Sequence, residues 1–300
     1  MPLFRYDPDR PQDRVIGQGT TFRIDPWGTC LTAFHVIEDL VEYNEHSELR
    51  ISIKPGIRLA ALEWEGIALG GQFQLPKNAW RKLSGLNAPC IVEAKPFESP
   101  QIINSFEFAS LKIEHSTMNQ NRTPYLTVDL RQWKPTIGER VLAIGFADLD
   151  KGDPDASESR GIRQHLYGSF GAIIDIEGSD PLRTRAWPLV RVEAHWPGGM
   201  SGGPVFNEAG HVIGIVSTGF HDDVASATYF SAWDLPSQFL PTIDLSNPGS
   251  FRGYAVLNAN DDIVWFGHDL QKMAEWSQMN GHNSPIAVSY NPETQGWTSL

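Results

Sequence analysis

Residues 196–206 read Trp196-Pro197-Gly198-Gly199-Met200-Ser201-Gly202-Gly203-Pro204-Val205-Phe206, a serine set between two pairs of glycines. The apolar run Gly210-His211-Val212-Ile213-Gly214-Ile215-Val216-Ser217 follows as a buried strand. A serine hydroxyl attacks a carbonyl usefully only where N–H groups stand ready to take the oxyanion, and a tight turn ahead of the serine supplies them from the backbone. Gly198 and Gly199 permit such a turn, and Gly202-Gly203-Pro204 is expected to let a substrate come close to the main chain. The same pattern also fits an ordinary glycine-rich turn before a strand, so Ser201 as a nucleophile depends on partners elsewhere.

A nucleophilic serine needs a base. In Gly28-Thr29-Cys30-Leu31-Thr32-Ala33-Phe34-His35-Val36-Ile37, His35 closes an apolar run. Ahead of it, Gly17-Gln18-Gly19-Thr20-Thr21-Phe22-Arg23-Ile24-Asp25 reads as one strand and Asp25-Pro26-Trp27-Gly28 as a turn, so His35 sits where a second strand gives way. A lone histidine more often serves structure than catalysis. Its position at a strand end is what separates this one.

The two stretches Thr32-Ala33-Phe34-His35-Val36 and Gly199-Met200-Ser201-Gly202-Gly203-Pro204 resemble the T-A-x-H-V and G-x-S-G-G-P patterns of the trypsin-like (chymotrypsin-fold) serine peptidases. The likeness is nearest to their bacterial HtrA/Deg-type and glutamyl-endopeptidase-like members and covers roughly residues 13–245. Both motifs stand in that family's order, histidine first, whereas other hydrolases carry the same groups in other orders. The resemblance implies an all-β fold of two six-stranded antiparallel β-barrels. Barrel 1 is expected over about residues 13–130 and barrel 2 over 131–245, with 1–12 as an N-terminal arm and 246–300 as a C-terminal extension. Ile137-Gly138-Glu139-Arg140-Val141-Leu142-Ala143-Ile144-Gly145-Phe146 is similar to the strand that opens the second barrel in this family, which places the junction between about 115 and 136.

The family's third member is an aspartate at the start of a strand. Glu107-Phe108-Ala109-Ser110-Leu111-Lys112-Ile113 fits that strand but carries glutamate, one methylene longer; Asp129 and Asp39 are the other candidates. By resemblance the chain is a serine endopeptidase in which Ser201 attacks, His35 takes the proton, Glu107 orients His35, and the N–H groups of Gly199 and Ser201 hold the oxyanion, with no metal or cofactor. The alternative is a protease-fold binding module whose site has decayed, which the glutamate would suit. Met200 stands where secreted digestive members have the aspartate that pairs with a new amino terminus, so that activation route is not expected. A protein activator or neighbouring domain, acting on the extension or on the long segment before Glu107, is the alternative means of control. Val216-Ser217-Thr218-Gly219 corresponds to the family segment that pairs with the substrate backbone, with Ser217 and Gly219 as substrate-binding residues. His195, beside Trp196, falls at the family's pocket floor, either facing an acidic or polar P1 side chain or turned away.

The composition agrees with a packed β-rich body: 41% hydrophobic and 11% aromatic residues, with 27 glycines and 21 prolines punctuating short runs. A net charge of −12 argues against nucleic acid as a partner, since phosphate binding rests on Lys and Arg; a polypeptide substrate is what the resemblance implies. Asp148-Leu149-Asp150-Lys151-Gly152-Asp153-Pro154-Asp155 reads as a solvated loop whose irregular spacing matches no known calcium loop. The 72 residues from His35 to Glu107 suggest an insertion over about 46–100, with Ile57–Trp64 and the stretch on to Trp80 as extra strands or a loop over the cleft. After Asn247-Pro248-Gly249-Ser250, Tyr254–Asn258 and Ile263–Phe266 read as a β-hairpin and His268–Met279 as a helix with Leu270, Met273, Ala274 and Trp276 on one side. This tail is either a docking element or a cap on the second barrel. Cys30 and Cys90 are read as reduced thiols. No stretch reaches the roughly 18 apolar residues that span a bilayer, so no membrane partner is expected. The first ten residues have no apolar signal core, and a cytoplasmic location is expected.

Overall fold

The computed structural model describes residues 1–10, 12–25, 28–45, 51–63, 79–88, 90–93, 101–103, 106–113, 125–126, 128–129, 133–147, 149, 165–179, 187–217, 223–232, 252–257, 263–267, 270–281, 286–291 and 296–299. Gly219, the acidic loop 148–155 apart from Leu149, the stretches 46–50, 64–78 and 94–100, and the junction at 247–250 lie outside the described residues.

The first barrel is built from β1 (Pro2–Arg5), β2 (Ile16–Thr20), β3 (Phe22–Arg23), β4 (Thr29–Ala33), β7 (Leu59–Leu62), β8 (Trp80–Asn87) and β11 (Phe108–Ile113). Two small hairpins stand outside it, β5 (Val41–Tyr43) with β6 (Ile51–Ile53), and β9 (Ile91–Glu93) with β10 (Gln101–Ile103). The sheet order is β2-β1-β7-β8-β11-β4-β3, antiparallel throughout. Its two edges, β2 and β3, are halves of one bent strand broken only at Thr21, so the sheet curls into a barrel of six staves. Leucines and small residues suit this closure: β4 and β7 are buried along their whole length.

Two features depart from the sequence expectation. The segment expected as an arm contributes β1, which pairs with both β2 and β7 and buries Leu3 and Phe4. Four residues between polar flanks are too short for a periodic signal. Within the expected insertion, β7 and β8 are staves without which the first barrel has no wall, so they do not form a cover over the cleft.

The second barrel begins after β12 (Val128–Asp129). It comprises β13 (Arg140–Ala147), β14 (His165–Glu177), β15 (Leu189–Glu193), β16 (Pro204–Phe206), β17 (Val212–Val216) and β18 (Val224–Tyr229). Their order β16-β13-β14-β15-β18-β17 returns to β16, a closed ring of six antiparallel strands. Along β13, Val141, Ala143 and Ala147 point inward and alternate with Leu142, Ile144 and Phe146, the two-residue period of a half-buried strand. This is the two-barrel, chymotrypsin-like arrangement expected, and β13 opens the second barrel as expected.

The extension holds β19 (Arg252–Leu257), β20 (Ile263–Gly267), α1 (Leu270–Met279), β21 (Ile286–Asn291) and β22 (Gly296–Ser299). The hairpin β19–β20 and the helix match the expectation; the hairpin β21–β22 goes beyond it. The four strands reach the second barrel through β12, which pairs with β20 on one side and β17 on the other. Val256, Trp265, Met273 and Trp276 form a separate small core. On α1 the buried face is Met273, Trp276 and Ser277, spaced three and four apart, while Ala274 is exposed, contrary to expectation.

Candidate active site

His35 and Glu107 become neighbours because β4 and β11 are paired. Ala33, the last residue of β4, lies opposite Phe108, the first of β11. The chain beyond Ala33 tightens into a 3-10 turn, Phe34–Val36, and the Phe34 N–H donates to the Glu107 carbonyl at 2.5 Å. The side chains that follow meet directly: His35 Nδ1 lies 2.7 Å from Glu107 Oε1. A carboxylate has no proton to give, so Nδ1–H is the donor and the lone pair is left on Nε2. The extra methylene of glutamate is accommodated without loss of this contact.

Glu107 is fully buried. The next residue, Phe108, is also fully buried, its ring 5.1 Å from that of buried Phe230. Compensation for Glu107 comes from the second barrel: Ser217, just past β17, donates its hydroxyl to the same oxygen, Oε1, at 2.8 Å. Both donors converge on Oε1, and Oε2 has no partner among the described residues. Of the other candidate acids, Asp39 is exposed on the following turn, Glu38–Leu40, where its carbonyl accepts from Lys54 Nζ. Asp129 pairs through its backbone with Trp265 in β20. The structure brings Glu107 to His35, and not Asp39.

The serine sits in two consecutive turns. Met200 N–H donates to Pro197 carbonyl at 3.3 Å, and Gly203 N–H to Met200 carbonyl at 2.8 Å. The third positions of these turns are Gly199, with φ of 98°, and Gly202, with φ of 81°. Such positive φ is what a type II turn requires there, and only glycine takes it without strain. Gly202 N–H donates to Val216 carbonyl and Val216 N–H to Gly203 carbonyl, both at 2.8 Å, which fastens the turn to β17. Ser201 Oγ donates to Ser217 carbonyl at 3.1 Å. The N–H groups of Gly199 and Ser201 have no acceptor among the described residues, which leaves them free to receive an oxyanion.

The glycines do different work from that expected. A side chain at Gly202 would stand 2.2 Å from Thr32 Oγ1 and 2.4 Å from the Thr20 carbonyl, and one at Gly203 would stand 2.3 Å from the Ile144 carbonyl. Their smallness lets the turn press against its own barrels, so no substrate approach is needed to account for them. Gly198 has open space around it and no positive φ.

Of the residues expected to bind substrate, Ser217 is buried and bonded to Glu107 and to Ser201, a role its strand position alone did not reveal. His195 is exposed, alternating with buried Ala194 and Trp196 at the end of β15, so it is not the floor of a closed pocket. Gly219 lies outside the described residues. The side chain that sequence reasoning missed is Thr20, buried on β2 against the Ser201 turn. Its position beside glycine on a strand preceding the histidine carried no chemical signal.

Comparison with known proteins follows the geometry. Residues 19–215 match the family described as the trypsin-like peptidase domain. No curated protein matches the chain. Among solved structures, the HtrA-type protease AlgW with a decapeptide is similar at 16% identity and a TM-score of 0.44, over 82% of this chain and 57% of that one. The active form of the Rv3671c protease from M. tuberculosis is similar at 16% identity and a TM-score of 0.41, over 76% of this chain and 74% of that one. The serine endoprotease from Yersinia pestis is similar at 14% identity and a TM-score of 0.42, over 86% and 66% of the two chains. This chain thus spans little more than half of the AlgW chain. The family match runs from Gly19, beside the strand residue that grips the serine turn, to Ile215 in the strand behind it, and on that match this chain belongs to the trypsin-like peptidase family.

Proposed function

We propose that the chain is a serine endopeptidase that cleaves polypeptides through Ser201, His35 and Glu107. The observation that carries this reading is the continuous set of contacts from His35 Nδ1 to Glu107 Oε1, from Ser217 Oγ to the same oxygen, and from Ser201 Oγ to the Ser217 carbonyl. Four polar groups from both barrels meet beside two backbone N–H groups that have no acceptor among the described residues.

The chemistry follows. Ser201 Oγ leaves the Ser217 carbonyl, gives its proton to His35 Nε2 and bonds to the scissile carbonyl carbon. The carbonyl oxygen becomes an oxyanion and is met by the N–H groups of Gly199 and Ser201; one such donor contributes about 2.7 to 4 kcal/mol to the transition state. Protonated His35 then passes its proton to the departing amine, which breaks the peptide bond and leaves an acyl-Ser201 ester. Water, deprotonated by His35, hydrolyses the ester and restores the serine. Glu107 holds the ring tautomer throughout and stabilises the imidazolium.

In the resting arrangement the serine hydroxyl is committed to Ser217. We propose that a rotation of the Ser201 side chain redirects it towards His35 and that a protein activator favours the redirected form. A fluorophosphonate probe tests the reading: Ser201 should be labelled and Ser201→Ala should not. A folded wild-type chain that never labels, alone or with added peptides, would leave the binding-module alternative standing.

A further inference from the structure

We infer that Thr20 is the positioning residue of the oxyanion turn, a clamp from barrel 1 that does the holding for which Met200 offers no ion pair. The inference rests on the endopeptidase reading above for its catalytic meaning and on geometry for its substance.

Thr20 is 2% exposed and spends every polar atom on this region. Its N–H donates to the Ser201 carbonyl at 2.8 Å. Its hydroxyl donates to the Gly199 carbonyl at 2.8 Å and accepts the N–H of Phe146, in β13 of barrel 2, at 2.9 Å. Its own carbonyl accepts from Thr32 Oγ1 at 2.8 Å, so the clamp is itself tied to β4, the strand that runs into His35.

The peptide unit that the hydroxyl grips lies between the two candidate oxyanion donors. The Gly199 carbonyl and Met200 N–H belong to one planar unit, flanked by the Gly199 N–H on one side and the Ser201 N–H on the other. Thr20 Oγ1 holds its carbonyl end and Pro197 holds its N–H end. Gly198 and Gly199 bring little stiffness of their own, so the direction of both N–H groups depends on what grips the unit. The unit also lies close against β13: a side chain at Gly199 would stand 2.5 Å from the Phe146 carbonyl. Met200 is fully buried in the barrel 2 core and supplies packing only. The hydroxyl is therefore the one polar side-chain tether on this peptide among the described residues.

Valine has the shape of threonine without the hydroxyl, so Thr20→Val removes the tether and keeps the volume. It leaves the Gly199 carbonyl and the Phe146 N–H without their partner in a buried place, and the turn is expected to move to recover one. Thr20→Ser keeps the hydroxyl. Two measurements on the full chain decide the matter. The first is fluorophosphonate labelling of Ser201: Thr20→Val is expected to label about 100-fold more slowly through the maximal rate of inactivation, with the half-saturating probe concentration unchanged, and Thr20→Ser to stay within about threefold of wild type. The second is amide hydrogen exchange over 197–203, where the Met200, Gly202 and Gly203 N–H groups are bonded; Thr20→Val should raise exchange there at least tenfold while β14 and β15 stay protected. Labelling of Thr20→Val within threefold of wild type, or a Thr20→Ser variant as slow as Thr20→Val, would overturn the inference. Should wild type itself fail to label, the endopeptidase reading falls and exchange decides alone: unchanged protection at 197–203 in Thr20→Val overturns the clamp, and raised exchange upholds it.

Discussion

Replacing Glu107 by glutamine isolates the charge of the proposed triad acid from its hydrogen bonds. Both donors, His35 Nδ1 and Ser217 Oγ, converge on Oε1, and Oε2 is buried with no partner among the described residues. A glutamine that keeps its oxygen at the Oε1 place and sets its NH₂ at the Oε2 place preserves both contacts and the ring tautomer. Only the negative charge is lost. That charge matters once His35 becomes an imidazolium, when it faces the carboxylate at 2.7 Å. Point charges at that separation, in an effective dielectric of about 20, attract by about 6 kcal/mol, an upper figure because both charges are spread over several atoms. At 1.36 kcal/mol per decade the expected loss in turnover is up to about four decades. The amide also removes a desolvated charge, so thermal stability should be unchanged or raised. The assay is the rate of probe labelling and of peptide turnover beside the unfolding midpoint. A Glu107→Gln variant that is as stable as wild type and retains a tenth or more of its activity would refute the electrostatic role, and the orienting role would stand alone.

Further outcomes follow from the same contacts. Ser217→Ala removes one donor from Glu107 and leaves the carbonyl that receives Ser201 Oγ; labelling should slow about ten- to 100-fold, since a hydrogen bond to a charged group contributes about 1.5 to 3 kcal/mol. Gly202→Ala puts a methyl 2.2 Å from Thr32 Oγ1 at a φ of 81°, and urea titration should show a destabilisation of about 2 to 6 kcal/mol; an unchanged midpoint would mean the turn lies elsewhere. Cys30 is fully buried on β4 and burial pushes its thiol up to about 12, so a thiol reagent should modify half-buried Cys90 in the folded protein and reach Cys30 only in denaturant. At the far end of barrel 1, burial alone would raise Glu63, but hydrogen bonds and charge from Arg23 and Arg81 outweigh it and hold its carboxyl below the ordinary 4.5. Its stabilisation is thus complete above pH 4.5 and lost as the pH falls below that value, so Glu63→Gln should flatten the acid limb of the stability curve; a limb of unchanged slope speaks against it.

The sequence carried the site further than it carried the barrels around it. His35 ends and Glu107 begins a run of apolar residues legible as a strand, whereas Ser201 stood out by the glycines on either side of it. β13 was legible through its likeness to the family strand that opens the second barrel, while the alternation of its burial belongs to the structure. β1 was not, since four residues cannot display a period. β7 and β8 were legible only as an insertion, because closure of a barrel is a property of which strands pair and pairing at a distance leaves no local mark. Gly202 and Gly203 were attributed to the approach of substrate, whereas three-dimensional proximity shows the neighbours they spare are Thr20, Thr32 and Ile144. Ser217 and Thr20 escaped notice as partners for one reason: their hydroxyls act across the seam between barrels, on residues more than a hundred positions away.

That seam ties assembly of the site to assembly of the molecule. The acid Glu107 belongs to barrel 1, and its second donor, Ser217, to barrel 2. The serine turn belongs to barrel 2, and its carbonyls at 199 and 201 are held by Thr20 of barrel 1. Neither barrel alone contains a charged acid with both its donors or a nucleophile with its turn fixed. A movement of one barrel against the other by the length of a hydrogen bond would break contacts in both directions at once, long before either β-sheet lost its ladder. Sub-global opening of this kind costs less than unfolding, since it parts the seam, where Val212, Ile215 and Phe230 pack into the barrel 1 core, and leaves the sheets paired. On the proposed mechanism, control need not reach His35, Glu107 and Ser201 directly: a partner that drew the barrels together or apart would act on all three in the same step.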